Sequence, residues 1–421
     1  MKVLVLGSGA REHALVWKFS QSSRISGLFA APGNAGTGEL ATNLPDVDPA
    51  KPESVLAAGR EHGITHVFIG PEEPLTLGVA DALEEAGIAA IGPHREAARL
   101  EGSKTFAKAF MRRNAIPTAE YQEFTELKSA ESYIRESVQK SGKKIVLKKN
   151  GLAAGKGVLE SNDKNRMLWF AEKVLENDSL IIEEFLEGFE TTVFAVCDGK
   201  NYILLPPCAD FKKAGENDTG PNTGGMGSVC PVPWLDARIQ ARIRSEAIEP
   251  TFAALKKENL MYKGILYFGL MITASGPKIL EYNVRFGDPE TQALLPLINS
   301  DFGNLCDAIV TESIDTFPLE VSEKSSLGVV IAAQGYPGDY EKGIPVSFAE
   351  KAEEKDLHIF HTATRRGADG TVLTNSGRCF TVVALGKDIY EAAERVYAGV
   401  KNISFKGAWY RPDIGKRFMT E

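Results

Sequence analysis

A chain of 421 residues with 43% hydrophobic and 25% charged side chains has length for about three domains, and its ordinary balance excludes a disordered or fibrous protein. Its 48 basic against 56 acidic residues leave a net charge of -8, and no Lys/Arg block forms a nucleic-acid footprint. Five cysteines, odd in number and without a C-x-x-C pair, exclude a disulfide framework and a zinc ribbon and fit a reducing, cytoplasmic setting.

In chain order, the strands KVLVLG, ISGLFAAP, HVFIGPE and AAIGP alternate with helices expected over 12–20, 52–62 and 77–87. The apolar run at 3–6 is too short for a secretory leader, and no stretch approaches the roughly 20 apolar residues of a membrane span. Strands separated by helices imply a doubly wound parallel sheet, whose ligands bind beyond the carboxyl ends of the strands. Three loops leave those ends: 7–12 with Gly9, Arg11 and Glu12, 32–37 with Asn34, and 70–75 with Glu72 and Pro74. A dinucleotide would need a third glycine where Glu12 stands and an acid ending the second strand, so a small phosphorylated ligand at a helix N-terminus is preferred. A tight turn without any ligand is the alternative.

From Ser103 a basic amphipathic helix, SKTFAKAFMRRN, leads into a small α+β module. Its strand KIVLKK, the glycine run at 151–157, the strand VLES, a helix with Met167, Ala171 and Val174 on one face, and the strand SLIIEEFL predict a hairpin flap. Residues 206–228 are rich in Gly, Pro, Asn, Asp and Thr and predict a long irregular functional loop. A helix over 235–255, kinked at Pro250, two apolar strands and the segment RFGDPETQ follow. The region from Ser325 carries few catalytic groups and reads as a packing or covering domain, with Ala392, Ala393, Val396 and Val400 forming an apolar helix stripe. Gly63 separates His62 from His66, and LHIFH at 357–361 reads as strand, so no histidine metal site is expected.

The run KKNGLAAGKGV nearly fits a Walker A loop and departs from it twice: Gly151 and Gly155 are one residue too close, and Gly157 rather than a hydroxyl residue follows Lys156. Backbone N–H groups of a mobile glycine hairpin could instead cover a triphosphate, with Lys104 and Lys148 as fixed charge. Glu281 and Asn283 alternate on one strand and share a face, a pair of oxygen ligands for Mg²⁺, with Arg285 on the same face. A metal beside a cation suits phosphoryl transfer.

The constellation resembles the ATP-grasp superfamily and, within it, the phosphoribosylamine-glycine ligases. GSGAREHAL, APGNAGT, GPEEPL, LEGSK, GLAAGKGV, IIEEFLEG, DTGPNTGGMG, RFGDPETQ and SLGVVIAAQGYPGDY carry the resemblance through the whole chain. It implies an α/β protein with an N-terminal doubly wound parallel sheet (a pre-ATP-grasp domain, 1–102), an ATP-grasp core at 103–320 with a small lid near 121–190, and a C-terminal α+β domain at 325–421. It further implies ATP contacts from Lys104, Lys148, Gly155, Lys156, Gly157, Glu183, Glu184, Leu186 and Glu190, with Glu183 and Leu186 at the adenine hinge and Glu190 on the ribose. Mg²⁺ or Mn²⁺ falls to Glu281 and Asn283, and catalysis to Arg285, Lys148 and Asp288. Glycine and 5-phosphoribosylamine fall to Gly9, Arg11, Glu12, Asn34, Glu72, Pro74, Asp210, Lys212, Asn222, Thr223, Gly224 and Arg285. The family reaction passes through glycyl phosphate, and a cytoplasmic monomer or weak homodimer without nucleic-acid or membrane partners is implied.

Three departures from the family pattern bear on the lid and the site loop. Lys148-Lys149-Asn150-Gly151 replaces Lys-Ala-Asp-Gly, several residues are missing between 177 and 180, and Asp210-Phe211-Lys212-Lys213 replaces Asp-His-Lys-Arg. Rival readings are another ATP-grasp ligase or carboxylase, a nucleotide sensor without turnover, and a Rossmann oxidoreductase.

Overall fold

The computed structural model describes residues 1–152, 157–349 and 356–419. The strands Lys2–Gly7, Gly27–Pro32, Thr42–Asn43, His66–Ile69 and Ala89–Ile91 form one parallel sheet in which Lys2–Gly7 is central. Val3, Leu4, Val5 and Leu6 are all fully buried, as befits a parallel strand covered on both faces. The helix Ala10–Ser20 begins two residues earlier than expected, because the Glu12 carboxylate reaches back to accept the Gly9 N–H at 2.7 Å. The loop at 70–75 is also more ordered than expected: Glu72–Thr76 is a short helix with Pro71 as its N-cap.

The lid is an antiparallel sheet in the order Tyr121–Phe124, Leu180–Glu184, Ile145–Lys149, Val158–Ser161, packed against the helices Leu127–Ser141 and Lys164–Leu175. It has its own core, in which Ala130, Ile134, Leu147, Met167, Ala171 and Leu180 are fully buried. The glycine run joins the paired strands Ile145–Lys149 and Val158–Ser161, which is the hairpin expected of it. The central sheet is antiparallel, in the order Tyr202–Leu204, Phe189–Asp198, Lys263–Thr273, Gly276–Asn283. Its core is continuous with that of the N-terminal sheet, through contacts such as Phe194 with Phe286 and Phe286 with Phe68.

One expectation is corrected and another refined. Residues 206–228 contain a short hairpin of Lys213–Gly215 with Thr219–Asn222, and Ala209–Asp210 and Gly227–Cys230 enter a five-stranded sheet with Ser325–Ala332, Arg378–Gly386 and Leu357–His361. Pairing to strands about a hundred residues away supplies the order that local composition lacks. The helix expected over 235–255 is one continuous helical run, Ala237–Ile243 and Glu249–Lys257 joined through a wider π-type turn at Arg244–Ile248, just ahead of Pro250. Pro250 has no N–H to offer the regular helical ladder, which is interrupted there.

Candidate active site

Glu281 and Asn283 lie on the last strand of the central sheet, opposite Gly269 and Tyr267 respectively, and share one face. Four cations from four segments converge on Glu281: Lys212, Lys148, Lys104 and Arg285. Burial would raise its carboxyl, but these charges outweigh burial and hold it below the usual range. Among the described residues its carboxylate has no hydrogen bond or ion pair, which leaves a partly buried anion open to a ligand. Asn283 Oδ1 accepts only a long bond, 3.4 Å, from Arg285 Nη2.

Arg285 stands between two acids. Its Nη2 donates to Glu101 Oε1 at 2.7 Å and its Nε to Glu72 Oε2 at 3.3 Å, joining the N-terminal sheet domain to the segment just past the last strand of the central sheet. Burial opposes its charge, and Glu101 and Glu72 outweigh that. Glu72 is pushed up by burial and pulled further down by Arg285 and Arg11, ending below its ordinary value. Burial pushes Glu101 up to about 7, with Arg285 pulling back and Glu72 adding to the rise. Glu101 also accepts the Val284 N–H at 2.7 Å. It escaped the sequence reading although it lies in the LEGSK motif, because a lone acid in a helix carries no pattern.

On the lid side, Lys104 Nζ donates to the carbonyls of Gly151, at 3.1 Å, and Asn150, at 3.3 Å, and so reaches the base of the flap. Lys148 Nζ lies 2.9 Å from Glu183 Oε2 and donates to Leu280 O at 3.3 Å. Glu183 is 3% exposed and also faces Lys108 at 3.1 Å, so its carboxylate is enclosed by two lysines. That leaves its backbone for any adenine contact. Glu184 points outward to Lys278 at 2.8 Å, a tie between lid and central sheet. Leu186 is buried, the Gly157 carbonyl accepts the Lys149 N–H at 2.8 Å, and Gly155 and Lys156 lie outside the described residues.

The Lys149-Asn150 departure has a structural use. Asn150 Oδ1 accepts the Thr105 N–H at 2.9 Å, fixing the flap base to the start of the helix Lys104–Arg113. Asp178, in the shortened segment, accepts the Gly151 N–H at 3.0 Å. An amide oxygen performs the first task as a carboxylate would.

The site loop brings Lys212 Nζ to 3.1 Å from Glu190 Oε2 and 4.0 Å from Asp210 Oδ2. Burial works against the charge of Lys212, but Asp210 and Glu190 hold its ammonium well above the ordinary value. Burial, with the neighbouring acids Glu290, Glu190 and Glu281, pushes Asp210 up to about 7 against the pull of Lys212. Thr223 Oγ1 donates to Lys212 O at 2.8 Å and accepts the Gly225 N–H at 3.0 Å, and the Asn222 backbone pairs with Lys213. Gly225 has φ +108°, and a side chain there would strike Pro289.

Several expected substrate contacts are engaged within the protein. Asn34 Nδ2 donates to the carbonyls of Ser8 and His361, both at 2.9 Å, and its Oδ1 accepts the N–H groups of Gly36 and Thr37. Glu12 holds Gly9 and Arg11, and Arg11 Nη1 donates to Phe286 O at 2.9 Å. Pro74 is buried inside its short helix. Asp288, expected to be catalytic, accepts from Gln292 Nε2 at 2.8 Å and from the Arg11 backbone, and pairs with Arg378 at 3.3 Å. Burial raises Asp288, and Arg378 and Arg11 bring it below its ordinary value. Arg378 comes from the domain that reads as a mere cover; only the tertiary fold delivers it.

Family models match in chain order: the phosphoribosylglycinamide synthetase N domain over 1–101, its ATP-grasp (A) domain over 102–291 and its C domain over 326–417. The chain belongs to the phosphoribosylglycinamide synthetase family. One relative in this family, a phosphoribosylamine--glycine ligase of Rhodopirellula baltica, is 43% identical, with 99% of this chain and 98% of the relative covered. The crystal structure of a phosphoribosylamine--glycine ligase from Thermotoga maritima superposes with a TM-score of 0.85 at 34% identity, covering 99% of this chain and all of that one. A biotin carboxylase domain from Hydrogenobacter thermophilus, at 16% identity and a TM-score of 0.74 over 97% of this chain and 91% of that one, shares the fold alone. All five cysteines are free and buried, and no helix among the described residues is long and apolar enough to cross a membrane.

Proposed function

We propose that this chain is the ATP-dependent ligase that joins glycine to 5-phosphoribosylamine, giving glycinamide ribonucleotide, ADP and phosphate in purine biosynthesis. The observation that carries it is the ordered match of all three family domains, with Glu281 of the ATP-grasp domain standing among four cations. The family assignment separates it from other ATP-grasp ligases and carboxylases, whose shared fold does not fix the substrate.

In the reaction, a glycine carboxylate oxygen attacks the γ-phosphorus, ADP leaves, and glycyl phosphate forms. The phosphoribosylamine nitrogen then attacks the acyl carbon, the amide C–N bond forms, phosphate leaves, and the nitrogen loses a proton. Little covalent help is needed, so positioning and charge neutralisation carry the rate. Lys104, close to the flap base, and Lys148 on the entering strand contribute positive charge to the ATP phosphates. Arg285 stabilises the transferring phosphoryl group or orients the glycine carboxylate, its fork held by Glu72 and Glu101. Glu190 serves the ribose, and the backbone from Glu183 to Leu186 serves the adenine.

Glu281 and Asn283 fit Mg²⁺ or Mn²⁺, because both offer hard oxygen donors on one strand face and the carboxylate stays ionised. When bound, such a cation supplies neutralisation of phosphate oxygen charge. Phosphoribosylamine is assigned to the N-terminal loops around Gly9, Arg11 and Glu72, with Asn34 and Glu12 shaping them, and a cytoplasmic monomer or weak homodimer completes the proposal. ADP release measured with glycine and freshly generated phosphoribosylamine, each omitted in turn, should require both. Turnover without either one would overturn the proposal.

A further inference from the structure

The site loop 210–226 carries Lys212, Thr223 and Gly224; bonds within it close its neck, with Thr223 N–H on Lys212 O at 2.7 Å and Met226 N–H on Phe211 O at 2.8 Å, but fix its tip less firmly. Its hairpin has two paired positions, and Asn217 and Asp218 both lie in the left-handed region, at φ 54° and 53°. Beyond the pairs of Lys212 with Glu190, at 3.1 Å, and Lys213 with Glu160, at 3.7 Å, the C-terminal domain contacts it at both ends. At one end Arg378 Nη1 donates to Gly224 O at 2.6 Å and Asp288 O at 2.9 Å, and the Tyr336 hydroxyl accepts the Gly224 N–H at 2.9 Å. At the other, Arg411 Nη1 donates to Lys213 O at 2.9 Å and Asp218 Oδ1 at 3.0 Å, and its Nε and Nη2 are both bonded to Asp413. Arg417 adds bonds to Asp218 at 3.3 Å and to the Asp210 carbonyl at 3.4 Å. Phe211, which replaces the histidine of the family pattern, lies beneath both guanidinium groups, 4.3 Å from Arg417 and 5.5 Å from Arg411.

We infer that the C-terminal domain is a positioning clamp for this loop: Arg378 and Tyr336 at one end, and Arg411 and Arg417 at the other, set where Lys212 and the Thr223–Gly224 turn stand. The inference rests on the proposed role of those loop residues in the ligase site. Arg411 is 2% exposed, and a buried guanidinium with its donors on a backbone carbonyl and two carboxylates fixes direction as well as distance. The clamp groups act through the loop, so they are positioning residues. Loosening them should change turnover without unfolding the chain.

The test uses the full chain with Asp218→Asn, Tyr336→Phe and the two combined. Asparagine tolerates the left-handed backbone at 218 and removes the anion shared by two arginines, and phenylalanine removes one acceptor at an exposed N–H. Hydrogen exchange of 213–226 should become faster while the lid and the thermal midpoint stay as they were. In the double variant kcat should fall on the order of tenfold, with KM for ATP within about twofold of the parent. Asp218→Glu should restore part of the turnover. Unchanged exchange and kcat in the double variant would overturn the clamp, and so would a loss of kcat that only tracks loss of folded protein. If the parent turned over without glycine or phosphoribosylamine, the ligase proposal would fall, and the exchange measurement would still decide whether the clamp exists.

Discussion

The N-terminal loops and the last strand of the central sheet both carry dense motifs, yet their polar side chains are used differently. In the loops, Glu12, Arg11 and Asn34 bond to Gly9, Phe286, Ser8 and His361 and hold four chain segments in register. On the strand, Glu281 keeps an ionised carboxylate with no partner among the described residues. A polar group left open in a partly buried place is costly unless a ligand fills it, whereas a fully bonded group costs little and rigidifies its surroundings. On the proposed function, the bonded loop residues hold the site's shape and the open carboxylate is free to take a ligand.

The largest expected effect tests this division at Arg285, which is bonded within the protein but is assigned to the reacting groups. Arg285→Met should lower glycine-dependent ADP release by about 10³-fold. Near-normal turnover would move Arg285 to the shaping class with Asn34. Glu281→Gln removes the open charge itself and should cost about 10²-fold in turnover. Titration of Mn²⁺ followed by electron spin resonance should show weakened binding in that variant, and chelation of divalent cations should silence the parent.

A third expectation concerns pH. The Glu101 carboxyl is raised from 4.5 to about 7 in the folded chain, mainly by burial. Between those values the folded state holds a proton that the unfolded state has released, so the stability this group contributes is lost as pH rises across the window. Glu101→Gln should flatten the pH dependence of urea stability from 4.5 to 7, by up to about 3 kcal/mol. An unchanged slope would mean that Arg285 keeps Glu101 ionised throughout. The smallest effect is expected at Asn34→Ala, which orphans two loop N–H groups and should cost about 1–3 kcal/mol of stability. It should raise KM for phosphoribosylamine and leave kcat near the parent value. A collapse of kcat instead would place Asn34 on the substrate.

Much of the site was legible before any fold was known, because its signals are local. Strand alternation puts Glu281 and Asn283 on one face, and the shortened glycine spacing with Gly157 after Lys156 fits a strand-to-strand hairpin better than a phosphate loop opening a helix. The order inside 206–228 was not legible, since its local pairings are only two or three residues long and Gly227–Cys230 is anchored on a strand about a hundred residues on. Nor was the engagement of Asp288, whose partner Arg378 stands 90 residues away.

The sequence by itself determined the N-terminal parallel sheet, the flap hairpin, the shared strand face of Glu281 and Asn283, and the family. Periodicity and motif spacing are properties of neighbouring residues, and these features depend on nothing else. Only the tertiary structure decided how the carboxylates are engaged: Glu183 between Lys108 and Lys148, Asp288 under Arg378, and Glu281 near four cations but bonded to none of the described residues. Ionisation and hydrogen bonding depend on what lies within a few ångströms in space, and folding brings those groups from segments the sequence keeps apart.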